Sequence, residues 1–233
     1  MYSYDNTRPF VKIDDVVFGF DGVGLNVLLV RQTDDNGEIT WSLPSGVYNP
    51  ELGISGNAAS ILLDTTSLRS PYIEQCGVHD TNFANDSDGR LTIAFFALVP
   101  WEESRSVKGT DGKRLVWFPI EELPENMVEG TDAVVESARC ALRDRAHLNP
   151  VVFYLLPHRF SISELQRLIE VINGTNYDRR NFYRKVIATS LLKPEGMAQI
   201  RAAHRPPQLF SFRTELYDEM LERDPGMEYP FLF

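Results

Sequence analysis

The stretch Asp178–Thr189, DRRNFYRKVIAT, carries three arginines and one lysine among residues compatible with a helix. Projection at about 100° per residue places Phe182, Val186 and Thr189 on one stripe, with Arg180 and Arg184 nearly opposite. Asn181 and Tyr183 flank the outward face, and Arg179 and Lys185 stand at its edges. That face has a specific chemistry available to it. A guanidinium fork can bond a guanine edge bidentately, an asparagine amide can pair with adenine, and the other cations can neutralise phosphate. Taken alone, the same residues are better read as the solvated side of a packing helix, so the surrounding elements must decide.

Those elements are legible. Ser161 and Glu164 have the S-x-x-E spacing of a capping box, and Phe160 with Leu165 makes a hydrophobic staple across it. Leu165, Leu168, Ile169 and Ile172 then recur as one buried stripe, and Gly174 ends the helix. Asp178 is the expected N-cap of the second helix, reached through the turn GTNY. Two helices across a tight, glycine-bearing turn predict a helix-turn-helix. Beyond them, LLKPEGMAQIRAAHRPPQLFSFR reads as a strand, a Pro/Gly-bearing loop with Arg201, His204 and Arg205, and a second strand, together a β-hairpin wing. Arg205 is the better phosphate contact of the loop because it stays charged at every relevant pH.

A net charge of -10 would argue against a nucleic-acid partner if it were evenly spread. Residues 1–147 hold 12 Lys+Arg against 23 Asp+Glu, residues 148–213 hold 10 against 4, and residues 214–233 hold 1 against 6. An acidic domain over 1–147 is therefore expected to precede a basic one over 148–233 that ends in an acidic tail. The basic excess around the two helices favours double-stranded DNA as partner. With 43% hydrophobic and 24% charged residues the chain should build an ordinary folded core. No leader-like or membrane-length apolar stretch is present, so a cytoplasmic protein with no membrane partner is expected. Cys76 and Cys140 lack any CxxC or Cys/His ligand spacing and read as reduced, packed thiols, with neither metal nor cofactor expected.

In the acidic part, FVKIDDVVFGF and LNVLLVRQ flank the turn DGVG as a hairpin. WSLPSG follows, and then a helix over Ile54–Thr66 with Ala58, Ala59, Leu62 and Leu63 at helical spacing. Strands are expected at 72–78, 91–99 and 115–118, and a second helix over about 132–146. This order, with W-x-L-P-x-G ahead of an Ala-Ala helix, resembles a Nudix hydrolase domain over roughly the first 145 residues. With Gly46 as anchor, the family's first glutamate falls on Leu52, its arginine on Ser60, the next glutamate on Ile61, the glutamate pair on Asp64 and Thr65, and the glycine on Ser67. Glutamates at the last three positions would share one helix face and hold Mg²⁺. Ile61, Asp64 and Thr65 cannot, so hydrolysis by the family mechanism is not expected.

The whole chain resembles the Nudix-related transcriptional regulators, through the eroded box followed by F-x-x-x-E-L-Q and R-N-F-x-R-K. The implied fold is α/β: an N-terminal Nudix-like mixed sheet with helices, then a C-terminal winged helix-turn-helix. NrtR members of this group regulate NAD metabolism and sense ADP-ribose; AraR-type members regulate sugar use and sense arabinose. The resemblance implies a homodimer on a palindromic operator, with the Nudix-like domain binding effector and mediating dimerisation. DNA-binding candidates are Arg179, Arg180, Asn181, Tyr183, Arg184, Lys185 and Arg205. Effector-binding candidates are Asp15, Arg31, Glu74, Gln75 and Arg90 on strands, with Trp41 as a stacking platform. Two other classes compete: a pyrophosphohydrolase acting on ADP-ribose-like substrates that recruits Glu51, Asp64 and Glu74, and an effector-free module whose basic part docks an acidic partner.

Overall fold

The computed structural model describes residues 10–33, 37–70, 72–81, 90–198, 206–225, 227 and 229. The chain divides into two compact units, the division falling inside a long helix after Ala141, while Phe20–Leu25 and Pro100–Glu102 group with the second unit. Among the described residues, no helix is long and apolar enough to cross a membrane.

Up to the division the order is β1 (Phe10–Phe20), β2 (Leu25–Thr33), β3 (Ile39–Ser42), β4 (Ser45–Val47), α1 (Gly53–Thr66), β5 (Tyr72–Thr81), β6 (Arg90–Leu98), α2 (Trp101–Ser104), β7 (Arg114–Pro119) and α3 (Thr131–Leu148). The strands form one seven-stranded mixed sheet in the order β3-β2-β1-β6-β5, with β4 added on β1 and β7 on β2. At its centre β1 runs parallel to β6, from Phe10 opposite Arg90 to Phe18 opposite Leu98. A parallel pair needs a long crossover and is normally covered on both faces, which is why β1 is buried without a break from Ile13 to Phe20.

Helix α1 covers the face carrying Ile13 and Val17, with Ala58 packed beside Ile13 and Phe95 and Leu62 beside Val17 and Leu28. Ala59, expected on this seam from its spacing, is exposed, because Asn57, Thr65 and Thr66 complete the buried side instead. Thr66 can be buried there since its hydroxyl donates to the Leu62 carbonyl at 2.6 Å.

The rest of the chain adds a single-turn helix over Pro150–Tyr154, then β8 (Phe160–Ser161), α4 (Ile162–Asn173), α5 (Arg179–Ala188), β9 (Leu192–Met197), β10 (Gln208–Phe212) and α6 (Thr214–Arg223). Its small sheet has the order β8-β10-β9. Pro194 and Gly196, expected in the wing loop, lie within β9; this is an edge strand, where a proline costs no ladder hydrogen bond, and a register shift at Leu209/Phe210 absorbs Glu195. The acidic tail starts as α6 and is tied down by aromatic rings. Phe153 stacks on Phe212 at 4.1 Å, Phe212 meets Tyr217 of α6 at 5.9 Å, and Tyr217 meets Tyr229 edge-on at 6.2 Å. Such pairs each contribute about 1 kcal/mol beyond the area they bury.

Candidate nucleic-acid interface

Helix α4 begins at a complete capping box. The Ser161 hydroxyl accepts the Glu164 amide at 3.2 Å, and the Glu164 carboxylate accepts the Ser161 amide at 2.7 Å. Gly174 closes the helix at φ 66°, a conformation most side chains resist. The turn is then fastened back onto α4 by a small circuit. Gln166 Nε2 donates to the Glu170 carboxylate at 2.9 Å and to the Tyr177 carbonyl at 2.8 Å, while the Tyr177 amide donates to the same carboxylate at 2.9 Å. Asp178 caps α5 by accepting the Asn181 amide at 2.9 Å.

With its start fixed in this way, α5 turns Phe182 and Val186 into the core at 1% and 0% exposure. Arg179, Arg180, Asn181, Tyr183, Arg184 and Lys185 are all exposed. Arg184 donates to the Asn181 side-chain oxygen at 3.0 Å, which holds the guanidinium along the helix surface. Among the described residues, no hydrogen bond or ion pair engages the side chain of Arg179 or Arg180. A cleft of about 580 Å³ runs beside this face, bounded by Ser161 of β8, Gln166 of α4, Arg179, Arg180 and Tyr183 of α5, and Gln208 of β10. Such a helix, outward, cationic and rigidly seated, has the shape and donors to enter a DNA major groove. Arg201, His204 and Arg205 lie outside the described residues.

The effector candidates on the large sheet do not converge. Arg31 on β2 pairs with Trp41 on β3, whose ring stands edge-on to Phe118 at 4.8 Å. Glu74 and Gln75 are on β5, three strands from β2, or roughly 14 Å at ordinary strand spacing. They are also successive residues on a strand, so they point to opposite faces; Glu74 accepts the Tyr72 hydroxyl, and Gln75 is exposed. Arg90 opens β6, but its side chain lies outside the described residues. Asp15 is 0% exposed between Ile13 and Val17 on the α1 side, and neither carboxylate oxygen has a hydrogen-bond donor among the described residues. Burial, and then the charge of Asp14, pushes its pKa up to about 8. Burial likewise pushes Cys76 up to about 12, so that thiol is no nucleophile at neutral pH.

On the box helix α1, apolar and internally bonded side chains stand at the positions where the family's glutamates would be. A Cβ on Gly46 would lie 2.9 Å from Ile61 Cγ1, so the anchor glycine is pressed against the apolar side chain that stands where a ligand glutamate would be. Asp64 accepts the Ser60 hydroxyl at 3.0 Å, and Thr65 is buried. Glu51 is exposed, with its amide bound to the Asn49 side chain at 3.0 Å. Among the described residues, no group of three His, Cys, Asp or Glu is placed to hold a metal ion. These donors do not fit a magnesium site. Ser67, at the position of the box glycine, takes φ 59°, the left-handed conformation common at helix ends.

Residues 152–212 match the family described as the NrtR DNA-binding winged helix domain. Over 230 residues the chain is 25% identical to the ADPR responsive transcriptional repressor NtrR of Acinetobacter baylyi, covering 97% of this chain and 90% of that one. The crystal structure of Shewanella oneidensis NrtR with a 27mer DNA superposes with a TM-score of 0.70 at 24% identity, covering 87% and 93% of the two chains. A MutT/nudix family protein from Enterococcus faecalis gives a TM-score of 0.68 at 16% identity, covering 91% and 88%. The chain therefore has the architecture of the Nudix-related NrtR regulators, a Nudix-like domain followed by an NrtR-type winged helix DNA-binding domain.

Proposed function

We propose that this protein is a transcriptional repressor that binds operator DNA through α5 and the wing and responds to ADP-ribose held by its Nudix-like part. The observation that carries the reading is the row of exposed cations and amide on α5, seated by caps at both ends of the preceding helix. Arg180 and Arg184 read base edges; Arg179, Lys185 and Arg205 neutralise phosphates. The Nudix-like part, over about residues 1–147, is a sensor and a dimerisation surface rather than an enzyme. A sensor has to release its ligand intact, and Leu52, Ile61 and Thr65 in place of the box carboxylates leave it without the metal that would consume the ligand.

ADP-ribose rather than arabinose is favoured by the repressor from Acinetobacter baylyi, whose name records that responsiveness. A cytoplasmic homodimer with one α5 per half-site would read an imperfect palindrome with centres separated by about 10 bp or a multiple of it. Effector shifts the equilibrium only through different affinities for the DNA-competent and DNA-incompetent dimer.

Fluorescence anisotropy at fixed salt, with duplex DNA from upstream of the protein's own gene, tests this reading. Tight binding weakened by ADP-ribose and untouched by L-arabinose is expected. Affinity no better than for random duplex overturns the regulator reading, and AMP release from ADP-ribose in magnesium overturns the non-catalytic part of it.

A further inference from the structure

We propose that a cavity of about 270 Å³ in the first unit, between Asp14 and Thr92 of the sheet and the start of α3, recognises the ribose ring of the effector, with Asp14 accepting the hydrogens of its vicinal diol. This rests on the ADP-ribose reading above and assigns a site to it. Lys12 and Asp14 reach the cavity from β1, Ser45 lies opposite Asp14 on β4, and Thr92 lies opposite Lys12 on β6. This is the face of β1 opposite the one that holds Asp15.

Asp14 is 4% exposed, yet its hydrogen bonding is incomplete. Lys12 Nζ approaches at 2.9 Å from Oδ1 and 3.1 Å from Oδ2, so one ammonium straddles both oxygens, and among the described residues no other side chain donates to this carboxylate. Burial raises the pKa of this carboxyl, and the Lys12 charge works against that rise. A carboxylate can accept several hydrogen bonds, a single ammonium leaves a buried one short of donors, and Asp14 lines the cavity. His79 pairs with Thr92 across β5 and β6, and among the described residues its buried Nε2 has no hydrogen-bond partner.

Size and charge narrow the ligand. Pockets for whole drug-sized molecules run to about 300–1,000 Å³, so this space takes one ring of a larger effector. Asp14 and Glu129 outnumber Lys12 on its walls, which repels a bare phosphate and favours hydroxyl groups that bring hydrogens to a carboxylate. A carboxylate on ribose hydroxyls is an established mode of nucleotide recognition. Val128 and Val134 supply the apolar wall for a sugar face.

The vicinal diol could belong to ADP-ribose or to a free pentose, and calorimetric titration of the full-length protein distinguishes them. The titrants are ADP-ribose, ribose 5-phosphate, 2-deoxyribose 5-phosphate and L-arabinose. A preference of about tenfold or more for ribose over deoxyribose phosphate is expected, since a site built to bond a hydroxyl rejects the analogue lacking it. Asp14→Asn should weaken ADP-ribose binding about 10- to 100-fold and erase the ribose preference. Thr92→Val should weaken it less, and it carries the test if the Asp14 variant fails to fold. ADP-ribose binding at full strength in both variants overturns the site and leaves the effector reading intact. Ribose 5-phosphate or arabinose binding that Asp14→Asn abolishes, in a protein that ignores ADP-ribose, keeps the site and overturns the effector. A wild type that takes none of the four overturns both.

Discussion

Helices α1 and α5 are both short, both buried on one side and both rich in polar residues, yet they use those residues in opposite ways. On α1 the polar groups serve the chain itself. Asn57, 2% exposed, accepts the Asn49 amide at 2.7 Å and donates to the carbonyls of Asn49 and Gly53 at 2.7 and 2.6 Å. Ser60 is bound to Asp64, and Thr66 to the backbone one turn back. On α5, by contrast, Arg179 and Arg180 have no partner among the described residues. Polar atoms spent on internal bonds mark a scaffold; exposed cations held on a rigid support mark a surface kept for another molecule.

The largest effect that sharpens this contrast comes from Asp15, the polar group on the α1 side that is not spent. Its folded pKa of about 8 lies above the ordinary carboxylate value of 3.8. Between those values the unfolded chain binds fewer protons than the folded one, so stability falls as pH rises through the window. Asp15→Asn should flatten that slope and stabilise the protein at neutral pH by on the order of 3 kcal/mol, read by urea denaturation from pH 4 to 9. A variant less stable than wild type at pH 8 would mean that the carboxylate has a partner.

Next in size is Asn57→Ala, which strands the Asn49 and Gly53 backbone groups and should cost about 2–3 kcal/mol of stability with no change in DNA affinity once folded. On the other helix, Arg180→Ala and Arg184→Ala should each cost about 1–3 kcal/mol on operator DNA and little stability. Equal losses on random duplex would reduce both to phosphate contacts. The smallest effect is Ser67→Gly, which relieves a left-handed serine and should raise stability by about 0.5–1 kcal/mol, visible as a small rise in Tm.

How much of this could be read in advance depended on whether the information was local. Helices α4 and α5 were legible to within a residue, because the cap at Ser161, the stop at Gly174 and the cap at Asp178 act over one turn of chain. The end of α1 was local as well, and Ser67 closes it in a left-handed conformation. Which strand residues share a pocket was not. That depends on β1 and β6 meeting across about 70 residues of chain, and on the irregularity between Gln75 and Gly77 that resets the alternation of β5. Asp14 and Asp15 are adjacent on β1 and point to opposite faces, and composition is silent on which face borders a cavity. Nor could the ring contacts that seat α6 be foreseen, since Phe212 links Tyr217 to Phe153, a residue far back in the chain.

The circuit of Gln166, Glu170 and the Tyr177 backbone has an evolutionary consequence. It sets the pose of α5 from outside, through atoms that belong to α4 and the turn, and Phe182 and Val186 anchor the helix from beneath. The outward residues contribute little to that anchorage. They can therefore be exchanged with little cost to folding, so descendants of this protein could acquire new operators by rewriting a few codons while inheriting the same domain unchanged.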